Sequence, residues 1–132
     1  MDLYNNMLVK PAIPLAAHTA TATGTTIDRS GYEGVLVVAV VGDVTDGDHA
    51  LALEHSDDGQ EWEAAPTTTM QGELGTLDST SEAGVVEVGY LGTARYVRVV
   101  STVTGSPATG GVYGALVLLG GAFVSPVLRE GA

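Results

Sequence analysis

The chain has 132 residues and a formal net charge of -11 at pH 7, with 16 Asp and Glu against five Lys and Arg. Nucleic acid is excluded as an expected partner, because neutralising phosphates requires clustered Lys and Arg. The chain has no cysteine, so neither a disulfide framework nor a thiolate metal site is available, and we expect no cofactor.

Residues 1–16 contain Pro11 and Pro14 and show no periodicity, so they are predicted to form an extended N-terminal arm. The apolar side chains of this arm need a surface to pack on, either on the same domain or on a neighbouring subunit. The prolines and Lys10 also interrupt the apolar run that a signal peptide requires, so we expect synthesis in the cytosol. The predicted organisation is the arm, a β-sandwich domain over residues 17–121 and a C-terminal tail over residues 122–132.

Two segments follow the arm. Residues 17–30 alternate Thr and Ala and predict two short edge strands about Gly24. Residues 35–41 read VLVVAVV between two glycines, which predicts a central strand with both faces covered.

The next region carries the candidate ligands for a metal. Residues 43–48 form an acidic turn whose three aspartates could offer oxygens to Ca²⁺, although their spacing does not match an EF-hand, and a solvated turn is the alternative. Residues 49–55 alternate and place His49 and His55 on one face of a strand. These histidines would lie about 20 Å apart at about 3.3 Å per residue, too far for one metal ion. The sequence SDDG then predicts a hairpin turn before Trp62, which we expect to be at least half buried.

The C-terminal half predicts three further strands. Residues 65–84 have little periodicity and predict a long surface loop with a short strand near Met70. Strands are then expected over residues 85–90, 94–103 and 112–119, of which the second has the clearest alternation, with Tyr96 and Arg98 facing outward.

These elements predict an all-β fold, an antiparallel β-sandwich of jelly-roll type with extended N- and C-terminal arms. The strands at 35–41 and 112–119 are apolar on both faces, whereas one face of a sandwich sheet normally meets water. Either the arms or another protein must therefore cover the outer faces. The segment 112–124 is too short and too rich in glycine to cross a bilayer, so no membrane role is expected.

The sequence contains no arrangement that predicts catalysis. None of the three histidines has a nucleophile elbow or a catalytic spacing beside it. We therefore predict that the protein is not an enzyme, and an acidic hydrolase is the least favoured of the functions considered.

Two local patterns bring known families into view. HSDDGQEW, followed by ARYVRVV, resembles signatures of discoidin-like and carbohydrate-binding jelly-roll domains. The whole chain more closely resembles the small proteins encoded near the major capsid protein of tailed bacteriophages. The resemblance lies in the order of an N-terminal arm, a valine-rich strand, SDDG with Trp62, VGYLGTARYVRV and a final Gly- and Val-rich strand before a Pro-containing tail.

The resemblance implies a head decoration, or cement, protein that binds the major capsid protein lattice from outside, as a homotrimer on the outer surface of the virion. The predicted partner-binding residues are in the arm: Leu3, Tyr4, Met7, Leu8 and Lys10. A carbohydrate-binding module is the alternative, although the chain has one Trp, one Phe and five Tyr to build an aromatic platform. Host glycans remain possible ligands of the exposed loops.

Overall fold

The computed structural model describes residues 2–127 and 129. Its one α-helical turn is α1 (Leu3–Asn6), and a 3-10 turn spans Thr67–Thr69. The strands in chain order are β1 (Met7–His18), β2 (Ala22–Thr23), β3 (Ile27–Asp28), β4 (Tyr32–Val44), β5 (Asp48–Ser56), β6 (Glu63–Ala64), β7 (Met70–Gln71), β8 (Thr76–Leu77), β9 (Gly84–Tyr90), β10 (Tyr96–Thr104) and β11 (Gly111–Ala122).

The strands form two antiparallel sheets that pack face to face, which confirms the predicted β-sandwich. The five-stranded sheet has the order β1-β11-β4-β9-β7. The six-stranded sheet has the path β2-β10-β5-β6, with β3 also on β10 and β8 also on β5. The first strand pairs with the last, β1 with β11, and the strands inside them pair in the same nested order: β2 and β3 with β10, β4 with β9, and β5 with β6 and β8. The chain therefore has the topology of one long hairpin rolled into a jelly roll.

The core lies between the sheets and is built from alternate residues of the long strands. In β4 the odd-numbered residues from Val35 to Val41 are buried and the even-numbered ones are partly exposed. The same alternation places Val97 and Val99 of β10 in the core, while Arg98 faces outward as predicted. The expected strands at 35–41, 49–55, 85–90, 94–103 and 112–119 are confirmed, and each is longer or shifted by a few residues.

The N-terminal segment corrects the predicted organisation. Residues 7–16 are not an arm outside the domain, because they belong to β1, which pairs with β11 from Met7 opposite Gly120 to His18 opposite Gly111. The prolines are accommodated because β1 is an edge strand, whose outer side needs no hydrogen-bond donors, and because two register shifts interrupt the pairing. The sandwich therefore begins at residue 7.

The C-terminal tail also lies against the sandwich as far as it is described. The amide of Val127 donates to the carbonyl of Asn5 at 3.2 Å, and the Arg129 guanidinium donates to the carbonyls of Tyr4 and Met7. Residue 128 and residues 130–132 of the predicted tail are outside the described part of the chain.

Candidate interaction surfaces

The outer face of the five-stranded sheet is apolar over most of its width. Strand register places Leu118 beside Leu36 and Leu116 beside Val38, all pointing away from the core. We call the outward residues of this sheet the apolar face: Val9, Leu36, Val38, Val40, Val85, Val112, Leu116 and Leu118. Glu87 is the one charged side chain among the outward positions of residues 34–42, 85–89 and 112–120.

Within residues 2–127 and 129, the apolar face is partly open to solvent, and at Gly114 the backbone of Leu15 lies over it. Val9 and Val85, at its two sides, are 53% and 59% exposed, and Leu116 at its centre is 37% exposed. Residues 1–16, part of one of the two covers that the sequence left open, do not lie across this face as a whole: β1 extends the sheet, and its irregular segment at Leu15 lies over Gly114. Several apolar side chains of this face thus remain exposed among the described residues, and an apolar patch of this kind is often functional.

The outer face of the six-stranded sheet is different in character. Its central strands place Arg98 beside Glu54, with an ion pair of 2.7 Å, and Thr102 beside Ala50. Small and charged side chains of this kind are typical of a face that meets water. The two sheets of one molecule thus present one apolar and one polar surface.

The five predicted partner-binding residues occupy two environments. Leu3 and Tyr4 lie in α1 and are 61% and 63% exposed. Met7, Leu8 and Lys10 lie at the start of β1 and are partly buried. They do not project together from a flexible arm, and their role in binding stays a prediction.

Tyr4, Leu8 and Lys10 instead help to form a groove of about 870 Å³ between β1 and residues 25–27. Ile27 is buried, and Arg129 from the tail completes the lining. We call this the N-terminal groove. Sequence analysis missed Ile27 and Arg129, because no local pattern connects them to residues 4–11.

Trp62 lies beside a second, smaller cleft of about 370 Å³ at the SDDG turn. The Trp62 ring is partly buried, as predicted, and the Arg98 guanidinium lies over it with 4.2 Å between Cζ and the ring centroid. The turn is shaped by Asp58, whose carboxylate accepts hydrogen bonds from the amides of Gln60 and Glu61. These bonds lower the pKa of Asp58, because they favour its charged form.

The lining of this cleft is acidic. Asp57, Asp58, Glu61 and Glu63 contribute four carboxyl groups, and His55 is bonded to Glu63 through Nε2 at 3.0 Å. One face of the indole is already occupied by Arg98, so at most the other face is open to a sugar ring.

The three histidines are used in hydrogen bonds at two places, His18 and His49 beside Tyr113 and His55 beside Tyr90. Nδ1 of His49 contacts the hydroxyl of Tyr113 at 2.8 Å, while Nδ1 of His55 contacts the hydroxyl of Tyr90 at 2.7 Å at the other end of β5. His18 stacks on Tyr113 with 4.6 Å between ring centroids. Burial raises the pKa of both Tyr90 and Tyr113, because it disfavours the charged phenolate.

The Asp43–Asp48 turn uses its central carboxylate to hold another loop. The amides of Ala108, Thr109 and Gly110 donate to Asp46, and these bonds lower its pKa. Within residues 2–127 and 129, no three acidic or histidine side chains are grouped as metal ligands. The observed contacts therefore assign Asp46 a structural task in joining the two loops.

No protein-family model matches the chain, and no curated protein matches it. Among the described residues, no helix has the length and apolar character needed to cross a membrane.

Proposed function

We propose that this protein is a structural virion component that binds the outer surface of a tailed-phage capsid and stabilises the lattice of the major capsid protein. The observation that carries the proposal is the partly exposed apolar face of the five-stranded sheet. The sequence resemblance supplies the identity of the partner, and the fold and its surfaces are compatible with it. The acidic net charge suits a protein that must stay in solution until it meets a particle.

The size of the apolar face supports a role in assembly. Four strands at about 4.8 Å spacing and six residues at about 3.3 Å give an area of about 400 Å². Patches of this size on a monomer are often functional, and interfaces between permanent subunits are more apolar than the rest of the surface. We therefore assign this face to contacts between copies, in the homotrimer that the resemblance implies at capsid threefold positions.

A carbohydrate-binding module remains the second candidate, because one observation favours it. The cleft beside Trp62 combines an aromatic ring with carboxylates, which is a combination that can bind sugar hydroxyls. The guanidinium of Arg98 over the indole counts against it, since that face of the ring cannot stack on a sugar.

The test uses particles of the source phage that lack this protein. Purified protein is mixed with them and sedimented, and the fraction bound is measured beside the thermal stability of the particles. We expect saturable binding and more stable particles. Leu116→Lys, on the apolar face, should abolish trimer formation and weaken binding, whereas the control Thr102→Lys, on the polar face, should do neither.

Two results would contradict the proposal. One is a wild-type protein that does not sediment with the particles. The other is saturable binding to immobilised glycans, lost in a Trp62→Ala variant, by a protein that leaves the thermal stability of the particles unchanged; this would establish the carbohydrate-binding alternative. Circular dichroism of each variant shows whether the sandwich is intact.

A further inference from the structure

The N-terminal groove has a charge opposite to that of the molecule. Its lining holds Lys10 and Arg129, which are two of the five basic residues of the chain, and none of the acidic residues that the structure describes. The cleft beside Trp62 shows the reverse, with four carboxyl groups. A positive groove in a protein of net charge -11 is a local feature that overall composition does not predict.

The basic side chains elsewhere are already engaged. Arg95 bonds to both carboxylate oxygens of Asp28, and Arg98 pairs with Glu54. Arg29 donates to the backbone carbonyls of Gly92 and Glu33. Arg129 likewise donates to two backbone carbonyls, and neither it nor Lys10 forms an ion pair with a described carboxylate.

Neighbouring contacts hold Arg129, one of the two groove cations, in place. Arg129 is fixed by hydrogen bonds of 2.6 Å to the carbonyls of Tyr4 and Met7, and its Cζ lies 3.8 Å from the centroid of the Tyr4 ring. Lys10 is on β1, and the nearby carboxylate of Asp28 is satisfied by Arg95. A guanidinium fixed in this way loses little entropy when it binds an anion.

The rest of the groove is suited to apolar side chains. Tyr4, Leu8, Val9 and Pro11 line it, above the buried Ile27. Pro11 has no amide hydrogen, so addition of a full strand to the β1 edge is disfavoured and recognition must depend on side chains. The volume of about 870 Å³ is in the upper range of ligand sites and leaves room for several residues of an extended chain.

We infer that the N-terminal groove binds an extended peptide segment of the partner in which apolar residues alternate with aspartate or glutamate. The inference rests on the proposed function, since it takes the partner to be a protein lattice, and it names the chemistry of one contact. It also reverses the direction predicted from sequence: residues 4–10 form the wall of a site that receives a segment and do not themselves insert into the partner.

The test is fluorescence anisotropy with two labelled peptides whose ends are blocked. One alternates leucine or valine with aspartate, and the other has lysine in place of aspartate. The net charge of the protein repels the first peptide and attracts the second, so saturable binding of the aspartate peptide reports the local groove. Amide chemical shifts of Thr26 and Ile27 locate the site.

We expect Lys10→Gln to weaken binding of the aspartate peptide by about tenfold, as loss of a charge-assisted contact should. The control Thr102→Glu makes the same change in net charge on the outer face of the six-stranded sheet and should leave the affinity within about twofold. Added salt should weaken binding, because the Debye length falls to about 8 Å at 0.15 M.

Two outcomes would overturn the inference: no saturable binding of the aspartate peptide, or equal effects of Lys10→Gln and Thr102→Glu. If either result is obtained while the protein still binds particles normally, peptide binding in the groove is refuted and the proposed function is unaffected. Peptide binding that Lys10→Gln weakens, without decoration of particles, supports the groove and refutes the proposed function.

Discussion

Replacing Tyr113 by Phe should destabilise the sandwich through two partners at once. Nε2 of His49 lies 3.0 Å from the carbonyl oxygen of Asp46. Because a carbonyl oxygen can only accept, Nε2 is the donor, and in the neutral ring Nδ1 carries no hydrogen and acts as the acceptor. The Tyr113 hydroxyl therefore donates to Nδ1 of His49 and accepts from the hydroxyl of Ser101. Tyr113, His49 and Ser101 are fully buried, so water cannot replace the lost hydroxyl.

The expected loss follows from the number of groups left unsatisfied. Each buried polar group without a partner costs about 1–3 kcal/mol, so Tyr113→Phe should lower the free energy of unfolding by about 3 kcal/mol. For a domain of this size that corresponds to a fall in Tm of about 10 °C. Adding Ser101→Ala to Tyr113→Phe should recover part of the loss, because it removes one of the two orphaned groups.

Urea unfolding, followed by circular dichroism and extrapolated to water, measures the change. Tyr32→Phe is the control, because the Tyr32 hydroxyl makes no hydrogen bond to a described residue and should change stability by less than about 0.5 kcal/mol. Equal effects of Tyr113→Phe and Tyr32→Phe would refute the hydrogen-bond account.

Three further predictions concern single positions. Asp46→Asn should lower the Tm at pH 7 and make the Tm fall less steeply in acid. The pKa of Asp46 is lower in the folded protein than its unfolded value near 3.8, so its contribution to stability is present above pH 3.8 and is lost as the pH falls through the folded pKa. An unchanged dependence of the Tm on pH in acid would count against this. Gly114→Ala should lower the free energy of unfolding by about 1–3 kcal/mol, because the new Cβ would meet the β1 backbone at 2.8 Å, whereas Gly34→Ala, with 3.8 Å to the nearest atom, should lower it far less. Equal losses in urea unfolding would show that the β1 backbone moves to make room. Arg98→Ala should shift the emission of Trp62, the one tryptophan, to longer wavelength by exposing its ring, and unchanged emission would contradict the observed stacking.

Alternation made the long strands predictable from sequence. Residues such as Val97 and Val99 follow a period of two, so both the strand and its buried face could be read directly. β1 could not be predicted as a strand from alternation. Pro11 and Pro14 lack the amide hydrogens that a paired strand donates, and register shifts at Ile13 interrupt the alternation of inward and outward side chains. An edge strand tolerates both interruptions, and that it is an edge strand is known only from the sheet order.

The candidate surfaces divide along the same line. The apolar face was predictable, because residues 35–41 and 112–119 carry apolar side chains on the outward face of the strand as well as on the inward one. The N-terminal groove was not, because Arg129 reaches Tyr4 from the other end of the chain and Ile27 comes from an intervening strand. Residues this far apart in the sequence form one site only because the fold brings the two ends of the chain together, so the sequence alone does not predict it.

The most direct test of the central claim is an electron cryomicroscopy map of the source-phage particle. The proposed function predicts this jelly roll on the outer capsid surface, in groups of three, with Val38 and Leu116 of each copy covered by a neighbouring copy. A capsid whose outer surface lacks this fold would contradict the proposed function, and a bound copy with the apolar face open to solvent would contradict the role assigned to that face.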